Sequence, residues 1–417
     1  MERPDPLRYL PTPVPVPVSR IHPASDWLLR HAARALGAEG LIERLSLLLR
    51  EHGVPVSRAS LNVHTVHPEV FVRNIVWSME RGTSSETILH FDLLQPIFED
   101  SPVALIYKGA GPIRRQLCGS GAQLDFPICR DLAREGATDY LILPLNFSDE
   151  RRTYVSFCTE TPGGFSPENV ETLTEIAPYL AVRIELASAY FATSSLLQLY
   201  LGRNAARRVL AGNVKRGHGH TIEAALWYCD LRGFSEIPGD HSPAQVVEVL
   251  DGYFECVADA IRDAGGEILK FIGDGVLAVF DFADSDPATA CRQAVAAALA
   301  ALQAVERWNA HRGLGDDPLK MSVALHAGPL LHGNIGSRER LDFTVLGAAI
   351  TEVCRLEPLC RTIGVPLVLS HRFVELYSDC DKVGMGRFVL RGVREPQEVF
   401  SLRGLLPHFR RAAESRA

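Results

Sequence analysis

The chain has no CxxC pair and no cluster of cysteine and histidine at zinc-ligand spacing. Its nine cysteines, at positions 118, 129, 158, 229, 256, 291, 354, 360 and 380, are odd in number and scattered. That pattern excludes a disulfide framework and a structural zinc site, and it fits reduced thiols in a cytoplasmic protein. Long apolar runs are also missing. The longest helical one, Ala294 to Leu302, falls short of the about 20 residues a bilayer needs, so no membrane insertion is expected. The opening MERPDPLRYLPTP carries acid and proline where a secretion signal needs a basic and then an apolar stretch. Positive charge is in deficit: 43 Lys+Arg against 50 Asp+Glu give a net charge of −7, which argues against a nucleic-acid partner. What is present is apolar material, 47% of 417 residues, enough for two or three cores at about 150 residues each. A soluble, multidomain, cytoplasmic protein is expected.

Residues 1–23 hold seven prolines and form a Pro-rich tail that cannot supply the amide donors of a helix or sheet. Residues 24–190 mix helical and strand patterns. WLLRHAARALGAEGLIERLSLLLREHG reads as helix, broken near Gly37 and Gly40, and strands are predicted at Ala59–Val66, Ala104–Tyr107, Tyr140–Leu145 and Thr153–Thr159. In the last two, a hairpin around NFSDERR is followed by Phe-Ser-Pro and a long helix from Pro167. This stretch resembles the second half of a GAF-type sensor domain. The resemblance implies an α/β fold that receives an unidentified small-molecule or protein signal. Leu173, Ile176, Leu180, Ile184, Ala187 and Phe191 stripe the helix at spacings of three and four. Its continuation through 191–221 is a helical linker, able to pair with its twin in a dimer.

Chemistry concentrates in residues 222–405, ahead of a short tail at 406–417. The strand Ala224–Cys229 delivers Asp230, and the strands Glu267–Ile272 and Val276–Phe280 flank Gly273-Asp274-Gly275, a hairpin tip. Two aspartates at the ends of adjacent buried strands, Asp274 between two glycines and Asp230 three residues before Gly233, suit divalent metal and phosphate. The backbone N–H groups of Gly233, Phe234 and Ser235 can hold phosphate oxygens. The same two residues could instead cap a helix and make an ordinary Asp-Gly turn.

DLRGFS at 230–235, KFIGDG at 270–275 and DFTVLG at 342–347, with HAGPLLHGNIG between and RGVREPQEVFSL near the end, resemble the class III nucleotidyl cyclase domain. The resemblance implies an α+β, palm-type (ferredoxin-like) fold, an antiparallel-rich sheet with helices on one side, and a homodimer with shared active sites. It implies ATP as substrate, 3′,5′-cyclic AMP and pyrophosphate as products, and two Mg²⁺ or Mn²⁺ per site. Asp230 and Asp274 match the metal aspartates, with the Leu231 carbonyl as a further ligand. Lys270 matches the base-recognising lysine and Thr344 its partner, both from the opposite protomer. Arg355 matches the arginine that stabilises the transition state, and Arg391 a phosphate-binding position.

Lysine at 270 favours adenine, whose N1 accepts a hydrogen bond, over guanine, which presents N–H there; a mispaired buried donor costs about 1–3 kcal/mol. One position departs from the family. Thr351 stands where an asparagine orients the ribose, so turnover is expected to be weak or strongly regulated, and a silent nucleotide-binding module is the alternative. His326 is expected at a strand-to-turn junction with a packing role rather than a catalytic one.

Overall fold

The computed structural model describes residues 21–31, 37–64, 72–88, 98–149, 151–232, 242–311, 318–379 and 381–406. The chain divides into two compact units, Met1–Leu196 and Leu197–Ala417.

In the first unit, helices α1 (Pro23–Arg30) and α2 (Ala38–Glu51) precede strands β1 (Arg58–His64), β2 (Val72–Ser78) and β3 (Gly82–Ile88). Helix α3 (Pro102–Tyr107), strand β4 (Ile113–Gln116) and helix α4 (Pro127–Arg134) follow, then β5 (Asp139–Asn146), β6 (Arg152–Thr159) and α5 (Pro167–Leu201). The sheet runs β3-β2-β1-β6-β5-β4, and every neighbouring pair is antiparallel. One face packs Leu28, Ile42, Leu45, Leu173, Ile176 and Leu180 of α1, α2 and α5 against Leu61, Ile75 and Phe157. The other packs Ile106, Cys129 and Leu132 of α3 and α4 against Tyr140, Ile142 and Tyr154.

Ala104–Tyr107, expected as a strand, lies instead in α3. Pro102 occupies the first turn and the Ser101 hydroxyl accepts from the Ala104 N–H, so a helix start overrides the local strand preference. The chain enters α5 through a buried staple. The Arg114 guanidinium donates twice to Asp139, which is 0% exposed, and once to the Phe165 carbonyl at 2.6 Å, while the Phe165 N–H donates back to Asp139 at 3.0 Å. A fully buried carboxylate requires such a partner.

The second unit begins with helix α6 (Arg203–Leu210). Strand β7 (Gly219–Arg232), helix α7 (Pro243–Asp263), β8 (Glu267–Ile272), β9 (Gly275–Asp281), α8 (Pro287–His311) and β10 (Lys320–Gly336) then make a β-α-β-β-α-β unit. Strand β11 (Leu341–Leu346), helices α9 (Ala348–Leu356) and α10 (Leu359–Ile363), strand β12 (Leu367–Ser370), helix α11 (His371–Leu376) and strands β13 (Lys382–Phe388) and β14 (Gln397–Leu402) complete it. The sheet order is β13-β14-β12-β10-β7-β9-β8, with β11 paired to β10. Among the described residues only the β10–β12 pairing is parallel. Helix α7 starts at a capping box between Ser242 and Gln245 with Pro243 in its first turn.

Helices cover both faces of this sheet, which corrects the expectation of helices on one side. Trp227, Cys229, Val276 and Phe280 pack under α7, α8 and α11. Leu226, Leu277, Val279 and Ala324 pack under α9 and α10. The reason is compositional. The strand interiors at 224–227, 276–280 and 323–325 are apolar on consecutive residues rather than alternate ones, and a sheet with two apolar faces needs two covers. Helix α8 has the length and apolarity of a bilayer-crossing segment. Its Ala290, Ala294, Ala297, Ala298 and Ala301 are buried on the sheet, where small side chains allow close approach.

Candidate active site

Cross-strand partners share a face of a sheet, so the register shows which side chains converge. Asp230 on β7 lies opposite Ser322 on β10, and Tyr228 lies opposite Leu277 on β9. Leu277 belongs to the face under α9 and α10, and Tyr228 and Asp230, two residues apart, share it. The β8–β9 turn brings Asp274 to the same point, where the Asp230 and Asp274 carboxyls are in hydrogen-bond contact. A side chain at Gly275 would meet the Tyr228 hydroxyl at 2.7 Å and the Cys229 carbonyl at 3.1 Å, so glycine is what lets the turn close on β7.

Asp230 is pushed up to about 7 by burial, then by the Asp274 charge and the hydrogen bond between the two, then by Glu357. The Leu231 N–H donates to it and works in the opposite direction. Glu357, just past the end of α9, is buried and accepts the Ser322 hydroxyl; burial raises its pKa, and Asp274 adds to the rise. Arg232 donates to the Ser322 hydroxyl at 3.3 Å and to the Val365 carbonyl at 2.6 Å. Three acidic side chains thus feel one another at this spot. Crowded carboxylates are unfavourable unless a cation compensates them, and all-oxygen donors suit Mg²⁺ or Mn²⁺. The residues therefore fit a divalent metal, with Asp230 and Asp274 to hold it. Among the described residues no group of three or more His, Cys, Asp and Glu side chains forms a metal cluster, so further ligands have to come from backbone oxygens or substrate.

Lys270 reaches this face through an irregularity. In β8, Ile268 pairs with Ala278 and Lys270 pairs with Leu277, leaving Leu269 as an extra residue, a β-bulge. Ile268 and Phe271 accordingly share the α7 side, where Phe271 packs on Phe254 with ring centroids 4.6 Å apart. Lys270 shares the opposite side with Leu277. There its Nζ meets Asp342 Oδ2 of β11 at 2.6 Å, with 47% and 54% of the two side chains exposed. Thr344, two residues along β11, lies on the same side as Asp342 and is half-buried.

On α9, Ala349, Val353 and Leu356 are buried, while Thr351 is exposed and Arg355 half-buried. Cys354 packs on the face of the sheet that carries Tyr228 and Leu277, its thiol pushed up to about 11 by burial, then by Glu357 and Asp230. Arg355 leaves the helix about 100° round from Cys354, on the side of Thr351. Its Nη1 lies 2.7 Å from where a Cβ on Gly392 would stand, beside the exposed Arg391. The chain thus gathers Asp230, Leu231 and Asp274 at one point and sets Lys270 against Asp342, on the strand that carries Thr344, at another, and turns Arg355 toward the 390–393 turn. Gly233, Phe234 and Ser235 lie outside the described residues.

His326 sits inside β10 rather than at a strand-to-turn junction. It is buried, its Nδ1 is 2.9 Å from the Ser370 hydroxyl and its Nε2 is 3.4 Å from Glu352, and burial lowers its pKa to about 4. Asp342, Glu357, Ser322 and Tyr228 were not among the expected site residues. Asp342 and Glu357 stand two residues from Thr344 and Arg355, and that offset is the only sign of them in the sequence.

Residues 219–404 match the family model of the adenylate and guanylate cyclase catalytic domain. The second unit carries a cyclase catalytic domain. Similar proteins include the adenylate cyclase of Anabaena cylindrica, 29% identical over 167 residues, or 39% of this chain and 32% of that protein. Adenylate cyclase 1 of Rhizobium meliloti (strain 1021) is 29% identical over 161 residues, 38% of this chain and 24% of its own length. The chain thus covers about a quarter to a third of these relatives. A solved guanylyl cyclase, Cya2, is 30% identical with a TM-score of 0.40, covering 45% of this chain and 95% of that one. In the cyclase domain, the acidic pair, the β8 lysine and the α9 arginine are the polar features that the sheet and helix positions single out.

Proposed function

We propose that the chain is a cytoplasmic adenylate cyclase that converts ATP to 3′,5′-cyclic AMP and pyrophosphate, works as a homodimer with shared sites, and is regulated through its first unit. The observation that carries the reading is the Asp230–Asp274 contact, two carboxyls held together on the nucleotide-cyclase strands at a cost that a cation removes. Mg²⁺ or Mn²⁺, when bound, acidifies the ribose 3′-hydroxyl and neutralises the triphosphate. The 3′-oxygen loses its proton and bonds to the α-phosphorus, and the bond from that phosphorus to the bridging oxygen breaks as pyrophosphate leaves.

The protein's own groups orient this displacement. Asp230, Asp274 and the Leu231 carbonyl fix the cation position. Lys270 donates to adenine N1 and Thr344 accepts from the N6 amine. Arg355 offers a planar fork to the charge that develops on the α-phosphoryl oxygens, and Arg391 adds positive charge for the phosphates. Arg355 turns away from the aspartates of its own chain, which supports a site completed by a second copy. Thr351, short and lacking an amide, holds the ribose less firmly than asparagine would.

The antiparallel sheet of the first unit, with its β5–β6 hairpin, Phe165-Ser166-Pro167 turn and closing helix, supports a GAF-like sensor role. The free thiols of Cys118, Cys129, Cys158, Cys229, Cys256, Cys354 and Cys360 support a cytoplasmic setting. The test is product analysis of the purified full-length chain with Mg²⁺ or Mn²⁺ and ATP or GTP, beside Asp274→Ala. Cyclic AMP from the parent chain and none above background from the variant is the expected result; equal turnover by both refutes the site. Removal of residues 1–190 is expected to change the rate or its dependence on protein concentration, and no change in either defeats the regulatory reading. A silent nucleotide-binding module is the second reading. Thr351 favours it, and binding of ATP without turnover under all these conditions would establish it.

A further inference from the structure

We infer that the first unit binds an amphipathic organic anion, a molecule with an apolar body and one carboxylate, in a cavity between α2, the sheet and α5; only its effect on turnover rests on the regulatory reading above. The cavity holds about 630 Å³, inside the range of about 300–1,000 Å³ usual for small-molecule sites. Leu41 of α2, Val63 and Ile75 of the sheet and Leu186, Ala187 and Tyr190 of α5 give it an apolar wall. Leu186 and Tyr190 are 59% and 66% exposed, large apolar side chains left facing water.

Three charged side chains line the same space. Arg73 is paired with Glu39, and its guanidinium lies 5.7 Å from the centre of the Phe191 ring, so this couple is neutral as a unit. Arg183 has no carboxylate partner among the described residues. Its Nε donates to the Leu28 carbonyl and its Nη2 to the Leu29 carbonyl at 2.6 Å, both at the C-terminal end of α1. These carbonyls hold the guanidinium in place without cancelling its charge. Two of its five N–H donors are used, and those that remain include the Nη1–Nη2 edge, which meets a carboxylate as a two-pronged fork. The lining therefore sets one uncompensated positive charge beside an apolar wall, the complement of a carboxylate on an apolar body. A second copy of this face fits it less well, because it brings the same surplus charge against the first.

The experiment measures displacement of anilinonaphthalene sulfonate, a fluorescent apolar anion, from the full-length chain by decanoate and by decanol. It compares the parent with Arg183→Gln, Glu39→Gln and Ala187→Phe. Decanoate is expected to displace the probe at a concentration at least about tenfold below that of decanol, the scale of a charge-assisted hydrogen-bonded pair. Arg183→Gln should erase that difference and leave decanol within about twofold. Glu39→Gln frees Arg73 as a second cation and should tighten decanoate by about threefold, the scale of a partly exposed ion pair and a gain that a damaged fold does not produce. Ala187→Phe fills the cavity without touching a charge and should weaken decanoate and decanol alike. Equal displacement by the two ligands in the parent, or a preference that Arg183→Gln and Glu39→Gln both leave unchanged, would overturn the inference. Failure of the probe to bind a parent dimer that Tyr190→Glu dissociates in the ultracentrifuge would give the face to a second copy instead. Turnover in the same samples separates the two readings. A rate unmoved by bound decanoate defeats regulation through this ligand and leaves the site standing, whereas lost binding preference, with turnover still responsive to removal of residues 1–190, defeats the site alone.

Discussion

Asp274→Asn should make the metal-free cyclase domain more stable while destroying its activity. Asp230 is raised from 3.8 to about 7 by burial and by its acidic neighbours. With its folded pKa above its unfolded one, the group imposes no penalty below about pH 4, where both states hold the proton. Stability is then lost as pH rises through 7, because the folded state has to give up a proton it binds more tightly. A shift of about three units corresponds to about 4 kcal/mol for a fully buried group. Asp230 is only half-buried, so solvent screening brings this to about 2 kcal/mol. Since Asp274 supplies the second and third causes of the rise, after burial and ahead of Glu357, its share is about 1 kcal/mol, or about fivefold in an opening equilibrium. Hydrogen exchange of β7 and β9 peptides in EDTA reads that equilibrium directly. At pH 8 Asp274→Asn should exchange about five times more slowly than the parent, and the gap should narrow at pH 5. Added Mn²⁺ should protect the parent and leave the variant unchanged. Faster exchange in the variant, or a gain of the same size at both pH values, would refute the claim that the two carboxyls repel each other.

Three further outcomes are expected. Gly392→Ala places a Cβ 2.7 Å from Arg355 Nη1 at a backbone φ of +74°; kcat should fall on the order of tenfold with little change in KM, and stability by about 1–2 kcal/mol, read by steady-state kinetics and urea titration. Thr351→Asn lies on an exposed helix position and should raise kcat without moving the melting temperature; an unchanged kcat would mean that threonine suffices. His326, held neutral by burial with a pKa of about 4, has the opposite pH dependence to Asp230. Stability is full above pH 6.5 and is lost as pH falls toward 4, by up to about 3 kcal/mol, because the unfolded state takes up the proton first. His326→Gln should flatten the slope of urea stability between pH 6.5 and 4, and an unaltered slope would remove His326 as its source.

Much of the site was legible in the sequence because it depends on local pattern. An apolar run ending in Asp230 and an Asp-Gly turn between two strands each specify an element and a position on it, and β7 and β9 do pair at the expected point. The Phe165-Ser166-Pro167 turn likewise marks a helix start by chemistry carried in a few adjacent residues. Other features were carried by signals that compete with the first reading. Helices on both faces follow from consecutive apolar residues in the strands, and Ala104–Tyr107 took its state from the Ser101 cap rather than from its own apolar character.

The clearest case is Lys270. Strict alternation along β8 puts Lys270 with Ile268, on the α7 side and away from the aspartates; one unpaired residue, Leu269, reverses this and leaves Phe271 rather than Lys270 facing α7. No propensity of Leu269 announces the bulge. What goes with it is packing on the α7 side: Ile268 joins that core and Phe271, though 48% exposed, packs its ring on Phe254, and the two can share that side only if an extra residue stands between them. The hydrophobic demand of one face therefore decides where the charge goes on the other. A lysine that reads in sequence as one polar position in an apolar strand acquires its place beside Asp342 from the residues on either side of it.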